Sequence, residues 1–559
     1  MKIDRFAKLI CTLLAAGFAV EGVQAQEGSV DIVTTYTPEI AAATKHLAPT
    51  VISDDPKIEP TIAYEVNPSL WQITLDAHNF KPARASYWDF TNYRPLFAKV
   101  AVGYPLGSEA RVRYTHQTPR VGYWGVGLDH CGDFAPRKDT EGVKRSIGES
   151  YAMSNRVSAG GGVFAGKYLF EGALVYDNDI FNGYAMTSPE RRVFHDVGVG
   201  LRFGDEFVDM QRLNFSVEAH GGIWMHGLQA VADDADSRLA EYRAGGSARL
   251  ARDFSSNLVT LDLSYDMWRG INALESGDMQ IGGSVGYARK FGIVDVEVGL
   301  GYLYDKIRLE DKASHYIMPR AKVLFDINRA SFAPYVELSA DVSQNGPSSL
   351  YKLNPYIDYV AMGDKLLTMP NTLRYNLMLG FTGTAFESRL VYHAYVGANF
   401  VRDHLFWYVT RSGMFGAATD GNSRVLVGAG AEYTPVAGLK LALDVNYHHD
   451  FHSSKYAESE ADLGGAFRAE YMLRRWKFYV GADMLGSRTW SVLSQVDGET
   501  MGEFTMPTCF DISAGVAYRV NNLVEVFADG ENLLNSRIYD FANYYRQGVG
   551  FMLGVKMNF

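Results

Sequence analysis

The sequence predicts an all-β chain: a transmembrane antiparallel β-barrel of about 22 strands, with the N- and C-termini on the periplasmic side. Three observations predict it. Apolar residues alternate with polar or small ones in stretches of about 10–14 residues, longer than ordinary strands and suited to a tilted membrane crossing. Carboxylates and lysines recur at the centres of these stretches, which a wet lumen tolerates and a dry core does not. The links between stretches are by turns very short and long.

Composition agrees. Of 559 residues, 47% are hydrophobic and 21% charged, too apolar for a disordered chain and too evenly polar for a bundle of membrane helices. The 55 glycines, 34 tyrosines and 31 phenylalanines suit tight turns and half-exposed sheets. A net charge of −11 argues against a nucleic-acid partner. With three cysteines in all, a disulfide framework is not expected.

Residues 1–25 read as a secretory signal: Lys2, Arg5 and Lys8, an apolar run from Leu9 to Val20, and a small-residue site at Val23-Gln24-Ala25. Residues 26–95 hold Pro38, Pro49, Pro56, Pro60, Pro68, Pro82 and Pro95, so they read as an extended periplasmic or lumen-filling lead, not a sheet.

Residues 96–559 carry the alternation. It is plain where Leu213, Phe215, Val217 and Ala219 alternate with Asn214, Ser216, Glu218 and His220, and where Val294, Val296, Val298 and Leu300 alternate with Asp295, Glu297, Gly299 and Gly301. It returns at Leu439–Tyr447 and in the last strand, where Phe551, Leu553, Val555, Met557 and Phe559 share one face. Tyr265, Tyr302, Tyr304 and Tyr447 cluster at one rim, and Tyr433, Trp476 and Phe559 at the other, as the girdles of a membrane barrel require.

Ten short links, from Pro119-Arg120 to Asn521-Asn522, imply eleven outward hairpins, with the first strand starting near Phe97. Residues Tyr351 to Asn371 fit either a loop or an extra strand pair.

The segment Val524-Glu525-Val526-Phe527-Ala528-Asp529-Gly530-Glu531-Asn532-Leu533-Leu534-Asn535, then Tyr539 and a last strand to Phe559, resembles the closing hairpin of TonB-dependent receptors. Asn354-Pro355-Tyr356, Pro370 and Leu373–Gly383 resemble a loop-to-strand segment of the same barrels. The resemblance implies an integral protein of the bacterial outer membrane, in contact with outer-membrane lipid. It also implies that the barrel-assembly machinery reads Phe551, Leu553, Val555, Met557 and Phe559. Val30, Asp31, Ile32, Val33 and Thr34 are similar to the short segment by which that family binds TonB. The lead is short beside the family's plug domain, so the chain resembles a relative without a full plug.

The function this implies is solute uptake as a receptor, or passage through a plug-less channel. The alternative is a non-transporting structural subunit that docks periplasmic or surface-exposed partner proteins. Catalytic, cofactor-binding and metal residues are expected to be absent. No Gly-x-Ser-x-Gly elbow marks a hydrolase. His448 and His449 point to opposite faces of a strand, and His130, Cys131 and Asp133 do not make a ligand set by spacing alone. Gly160-Gly161-Gly162 and Gly198-x-Gly200 read as small wall residues, not phosphate loops.

Overall fold

A computed structural model describes residues 94–559, apart from 120, 138–149, 186–190, 229–238, 272–275, 308–310, 328–330 and 494–500. The signal, nearly all of the lead and the Val30–Thr34 segment lie outside the described residues.

Twenty-two antiparallel strands form a closed wall. Each strand from Leu96–Tyr104 to Trp476–Leu485 pairs with the next in the chain, and Cys509–Arg519, Val524–Glu531 and Gly550–Asn558 complete the circuit. Gly550–Asn558 pairs back onto Leu96–Tyr104, with Asn558 opposite Phe97 and Phe551 opposite Tyr104. Closure leaves no strand without a neighbour on each side, so backbone groups are paired inside the wall except along one seam.

The ten short links lie together at one end, at 119–121, 166–167, 206–213, 254–256, 292–293, 326–332, 386–389, 434–438, 474–475 and 520–523. Two-residue turns need a left-handed backbone, and Gly166 (φ 66°) and Gly292 (φ 63°) supply it where a side chain would be strained. The other end carries the long loops, with one two-residue link at 105–106 among them.

The outer face is apolar: Val102, Leu300, Ile317 and Leu553 are each more than three-fifths exposed, a surface that only hydrocarbon covers without penalty. Tyr265, Tyr302 and Tyr447 stand outward toward the long-loop end, and Tyr433, Trp476 and Phe559 toward the other. The inner face carries cross-strand ion pairs, among them Arg202–Glu171 at 2.7 Å, Arg320–Glu297 at 2.7 Å, Lys440–Glu432 at 3.0 Å and Arg468–Asp483 at 2.7 Å. Exposed pairs contribute only ~0–1 kcal/mol each, so they set the wall's polarity more than its stability. The glycines at 160–162 serve this wall: a side chain at Gly161 or Gly162 would strike Tyr123 or Trp124 of the adjacent strand.

One seam is thin. Lys312–Phe325 and Ala333–Ser343 pair only from Ala321–Leu338 to Leu324–Tyr335, at the short-turn end. Pro319 lacks a donor just where the pairing stops. There the Tyr375 hydroxyl donates to the Ile317 carbonyl at 3.0 Å, reaching over from the strand beyond.

Candidate functional site: a capped, charged lumen

Residues 344–371 leave the wall between Ala333–Ser343 and Thr372–Ala385 and fold inward. Of the two forms that the sequence left open, they form the loop and not the strand pair, and the loop is folded into short helices. Pro347 opens a helix, Pro347–Leu353, at a position where the missing N–H costs nothing. Gly346 precedes it because the indole of Trp268 lies within 3.1 Å of where a Cβ would stand.

That helix has no acidic residue in its first turn. The wall supplies one. Glu241, on Leu239–Asp253, is 1% exposed and accepts the Ser348 N–H at 3.0 Å and the Ser348 hydroxyl. A carboxylate at the helix N-terminus meets free N–H groups and the positive end of the dipole. Past the helix, Arg192 of the wall, also 1% exposed, donates to the carbonyls of Pro355 at 3.1 Å and Ile357 at 2.6 Å. Asp358 caps a second short helix, Tyr359–Met362, through the Ala361 N–H, and its other oxygen accepts the Thr410 and Ser412 hydroxyls.

The two ends of the segment are tied together. Asn345 donates its N–H to the side chain of Asn371 at 2.9 Å and its amide to the Pro370 carbonyl at 2.6 Å. Asn371 in turn donates to Asp305 at 2.9 Å and to Asp278 on the neighbouring wall strands.

Apolar packing completes the cap. Leu350, Ile357 and Leu366 are fully buried, and Tyr351 sits 5.3 Å from Trp224 and 5.4 Å from Phe194, ring to ring. Burying each Leu or Ile contributes roughly 1.5–3 kcal/mol over leaving it in water. A second cluster joins other long loops to this one. Tyr356 stacks on Tyr544 at 3.9 Å, beside Tyr184, Phe415, Trp490 and Met506. The hairpin Arg488–Leu493/Met501–Met506 lies against the tip of Leu390–Val409, Tyr408 opposite Ser491. A bulge at Arg402-Asp403 bends that tip, whose Phe406 and Val409 are buried. Burial pushes the Tyr356 phenol up to about 12, with Arg137 opposing, and burial likewise raises Tyr184 and Tyr544. All three stay neutral at ordinary pH.

Beside and below the cap lies a cavity of about 680 Å³ between the wall strands from Gly107 to Asp205 and the flank of Pro347–Leu353. Its wall pairs Arg111 with Asp129 at 2.7 Å and Arg156 with Asp177 at 2.5 Å, and Lys352 of the helix reaches Asp196 at 2.8 Å. Cys131 lines it as an exposed thiol. The chamber carries both charge signs and an aromatic rim (Phe181, Phe194, Tyr351), a lining suited to a polar solute.

Of the residues singled out from sequence, Phe551, Leu553 and Phe559 are exposed on the outer face, with Val555 and Met557 half-buried beside them on the same strand face. His130 is spent on Ser108 at 2.9 Å and Asn155 at 2.7 Å, and alternation turns Cys131 and Asp133 to the other face. Cys131 and Cys509 are both free thiols. Glu241 and Arg192 were missed because each reads as one more lumen charge. The run Leu350, Met362, Leu366, Leu367 and Met369 is the signal that finds the cap: a link this apolar is buried somewhere.

No protein-family model matches the chain, and no curated protein does. Solved structures do. The FrpB iron transporter from Neisseria meningitidis (F3-3 variant) aligns over 84% of this chain and 82% of its own, with 11% identity and a TM-score of 0.68. The copper transporter OprC aligns over 84% and 82%, with 12% identity and a TM-score of 0.62. The pyoverdine outer membrane receptor FpvA from Pseudomonas aeruginosa PAO1 aligns over 84% and 79%, with 8% identity and a TM-score of 0.63. At these identities the likeness is one of fold: the chain has the barrel of outer-membrane transporters and receptors.

Proposed function

We propose that the chain is an outer-membrane uptake receptor of the TonB-dependent type, with its long loops outward and its lumen as the conduit. The observation that carries this reading is residues 344–371 folded into the mouth and held there by Glu241 and Arg192 of the wall. A mouth restricted by the chain's own inward-folded segment fits a receptor that passes its cargo inward on demand. The shared fold with an iron transporter, a copper transporter and a pyoverdine receptor supports uptake as the class. In this reading the mature chain starts at Gln26, and the lead of residues 26–95 takes the place of a full plug. Val30, Asp31, Ile32, Val33 and Thr34 contact TonB, and the outward face of Phe551, Leu553, Val555, Met557 and Phe559 directs assembly of the barrel.

The test is growth of a strain lacking this chain on limiting iron, copper or an organic nutrient. Restoration by the wild-type chain in a TonB-positive background, and not in a TonB-null one, supports the reading. Equal growth with and without the chain under every limitation contradicts it. Restoration that persists without TonB contradicts the coupling and leaves passive passage.

A further inference from the structure

The strand Leu439–His452 carries a ligand set that its alternation hides. Tyr447, His449 and Phe451 face outward, so His448, Asp450 and His452 share the lumen face. The opposite strand sets Leu426 across from His448 and Arg424 across from Asp450. After the loop 453–462 the chain returns to this spot, because the His448 N–H donates to the Asp462 carbonyl at 2.8 Å. One ring nitrogen of His448 and one carboxylate oxygen each of Asp450 and Asp462 then lie within 4.8 Å of one another.

Two features point to a ligand. His448 is 9% exposed and its Nε2 makes no hydrogen bond, although it lies 3.4 Å from Oδ2 of Asp450, which makes none either. Buried nitrogen and carboxylate lone pairs normally have partners. Ligands about 2.0–2.1 Å from a tetrahedral ion stand roughly 3.4 Å apart, the separation of His448 Nε2 from Asp450 Oδ2. The other Asp450 oxygen is already held by Asn422 at 2.6 Å and Arg424 at 2.8 Å, so Oδ2 alone is presented to the site. Charge balance agrees. Arg424 serves three carboxylates, Asp450, Glu460 at 2.6 Å and Glu458 at 3.7 Å, and Asp462 adds a fourth. His404 offsets one of them only when protonated, through Glu458 at 2.7 Å.

We propose that His448, Asp450 and Asp462 bind one divalent transition-metal ion. An imidazole nitrogen with two carboxylate oxygens and no sulfur fits Zn²⁺, Mn²⁺, Fe²⁺ or Co²⁺; Ca²⁺ and Mg²⁺ prefer all-oxygen sites, and Cu⁺ prefers sulfur. A small rotation of the exposed Asp462 side chain closes the set. The ion staples the loop 453–462 to the wall. That loop also holds the cap's hairpin, since the Ala457 N–H donates to the Ser491 hydroxyl at 2.8 Å. The proposal does not depend on the uptake reading.

The test is equilibrium dialysis of the untagged full chain in detergent, stripped with chelator, against Zn²⁺ or Co²⁺, with metal content measured and Co²⁺ d–d bands recorded. One equivalent is expected whose affinity falls in Asp462→Asn and in His448→Ala, by at least the roughly tenfold that loss of an outer partner costs at metal sites. His449→Ala, which alters only the outward face, keeps it. Asp462 is exposed, so its variant folds even where that of His448 does not. Overturning results are no stoichiometric binding by the wild-type chain, or equal binding by the wild-type chain and Asp462→Asn.

Discussion

The carboxylate of Glu241 accepts both the backbone N–H and the hydroxyl of Ser348, so a wall residue caps a helix that lies more than a hundred positions along the chain. The pair is buried, and the helix it caps flanks the charged chamber. Removing the carboxylate strands two donors in a site water does not reach.

Glu241→Ala is expected to destabilise the docked segment by roughly 1–3 kcal/mol, the cost of leaving buried donors unmade. Hydrogen exchange of residues 347–353 reads it directly: their protection drops while that of the wall strands holds. Unchanged protection of 347–353 would sink the role given to Glu241.

Tyr351→Ala empties a site between Phe194, Trp224 and His226. Large-to-small aromatic changes in cores cost about 3–5 kcal/mol. The variant's cap should be cut by protease within 344–371 while its barrel stays intact on a heat-modifiability gel. Resistance equal to wild type would show that this packing does not hold the cap.

The cap also has an alkaline limit. A phenol raised to about 12 in the folded chain and near 10 when unfolded contributes stability that is complete below pH 10 and declines as pH rises toward 12. Phenolate absorbance at 295 nm should show a class of tyrosines ionising near pH 12, together with loss of protection in the cap. In Tyr544→Ala, which bares the face of Tyr356, fewer tyrosines should belong to that class. Ionisation of every tyrosine near 10 in the wild type would contradict the burial described.

At the thin seam, amides of residues 312–320 that face Ala333–Ser343 have no ladder partner, whereas those facing Val294–Ile307 do. About half of the amides in this stretch should therefore exchange rapidly, and fewer in Val294–Ile307, which is paired on both sides along its length. Equal protection of the two strands would show the seam to be closed.

Much of the wall is legible in the chain because a barrel strand reports its two environments at every second residue. Val294, Val296, Val298 and Leu300 declare the lipid face, and Asp295 and Glu297 the lumen. The ten short links fix the strand number for the same local reason, down to Gly166 and Gly292 at the turns. The cap is legible only as an anomaly. Leu350, Leu366 and Leu367 follow no period, since what buries them is Phe194, Trp224 and Leu239 from strands far away in sequence. Glu241 and Arg192 sit in phase with the wall charges, so nothing local separates an anchor from a lining residue. His448 and Asp450 follow from alternation once every second position is read, but Asp462 joins them only through the path of the loop.

The proposal that residues 344–371 restrict the lumen from the long-loop side is most directly tested at Cys131. This exposed thiol lines the chamber beside the helix Pro347–Leu353, and Cys509 is buried. Whole cells expressing the chain are treated with a maleimide on a polymer too large to cross the membrane. The account predicts that wild-type Cys131 stays unmodified and that replacing 344–371 with a short Gly-Ser linker exposes it to rapid labelling. Labelling of the wild-type chain at the rate of the linker variant would contradict it.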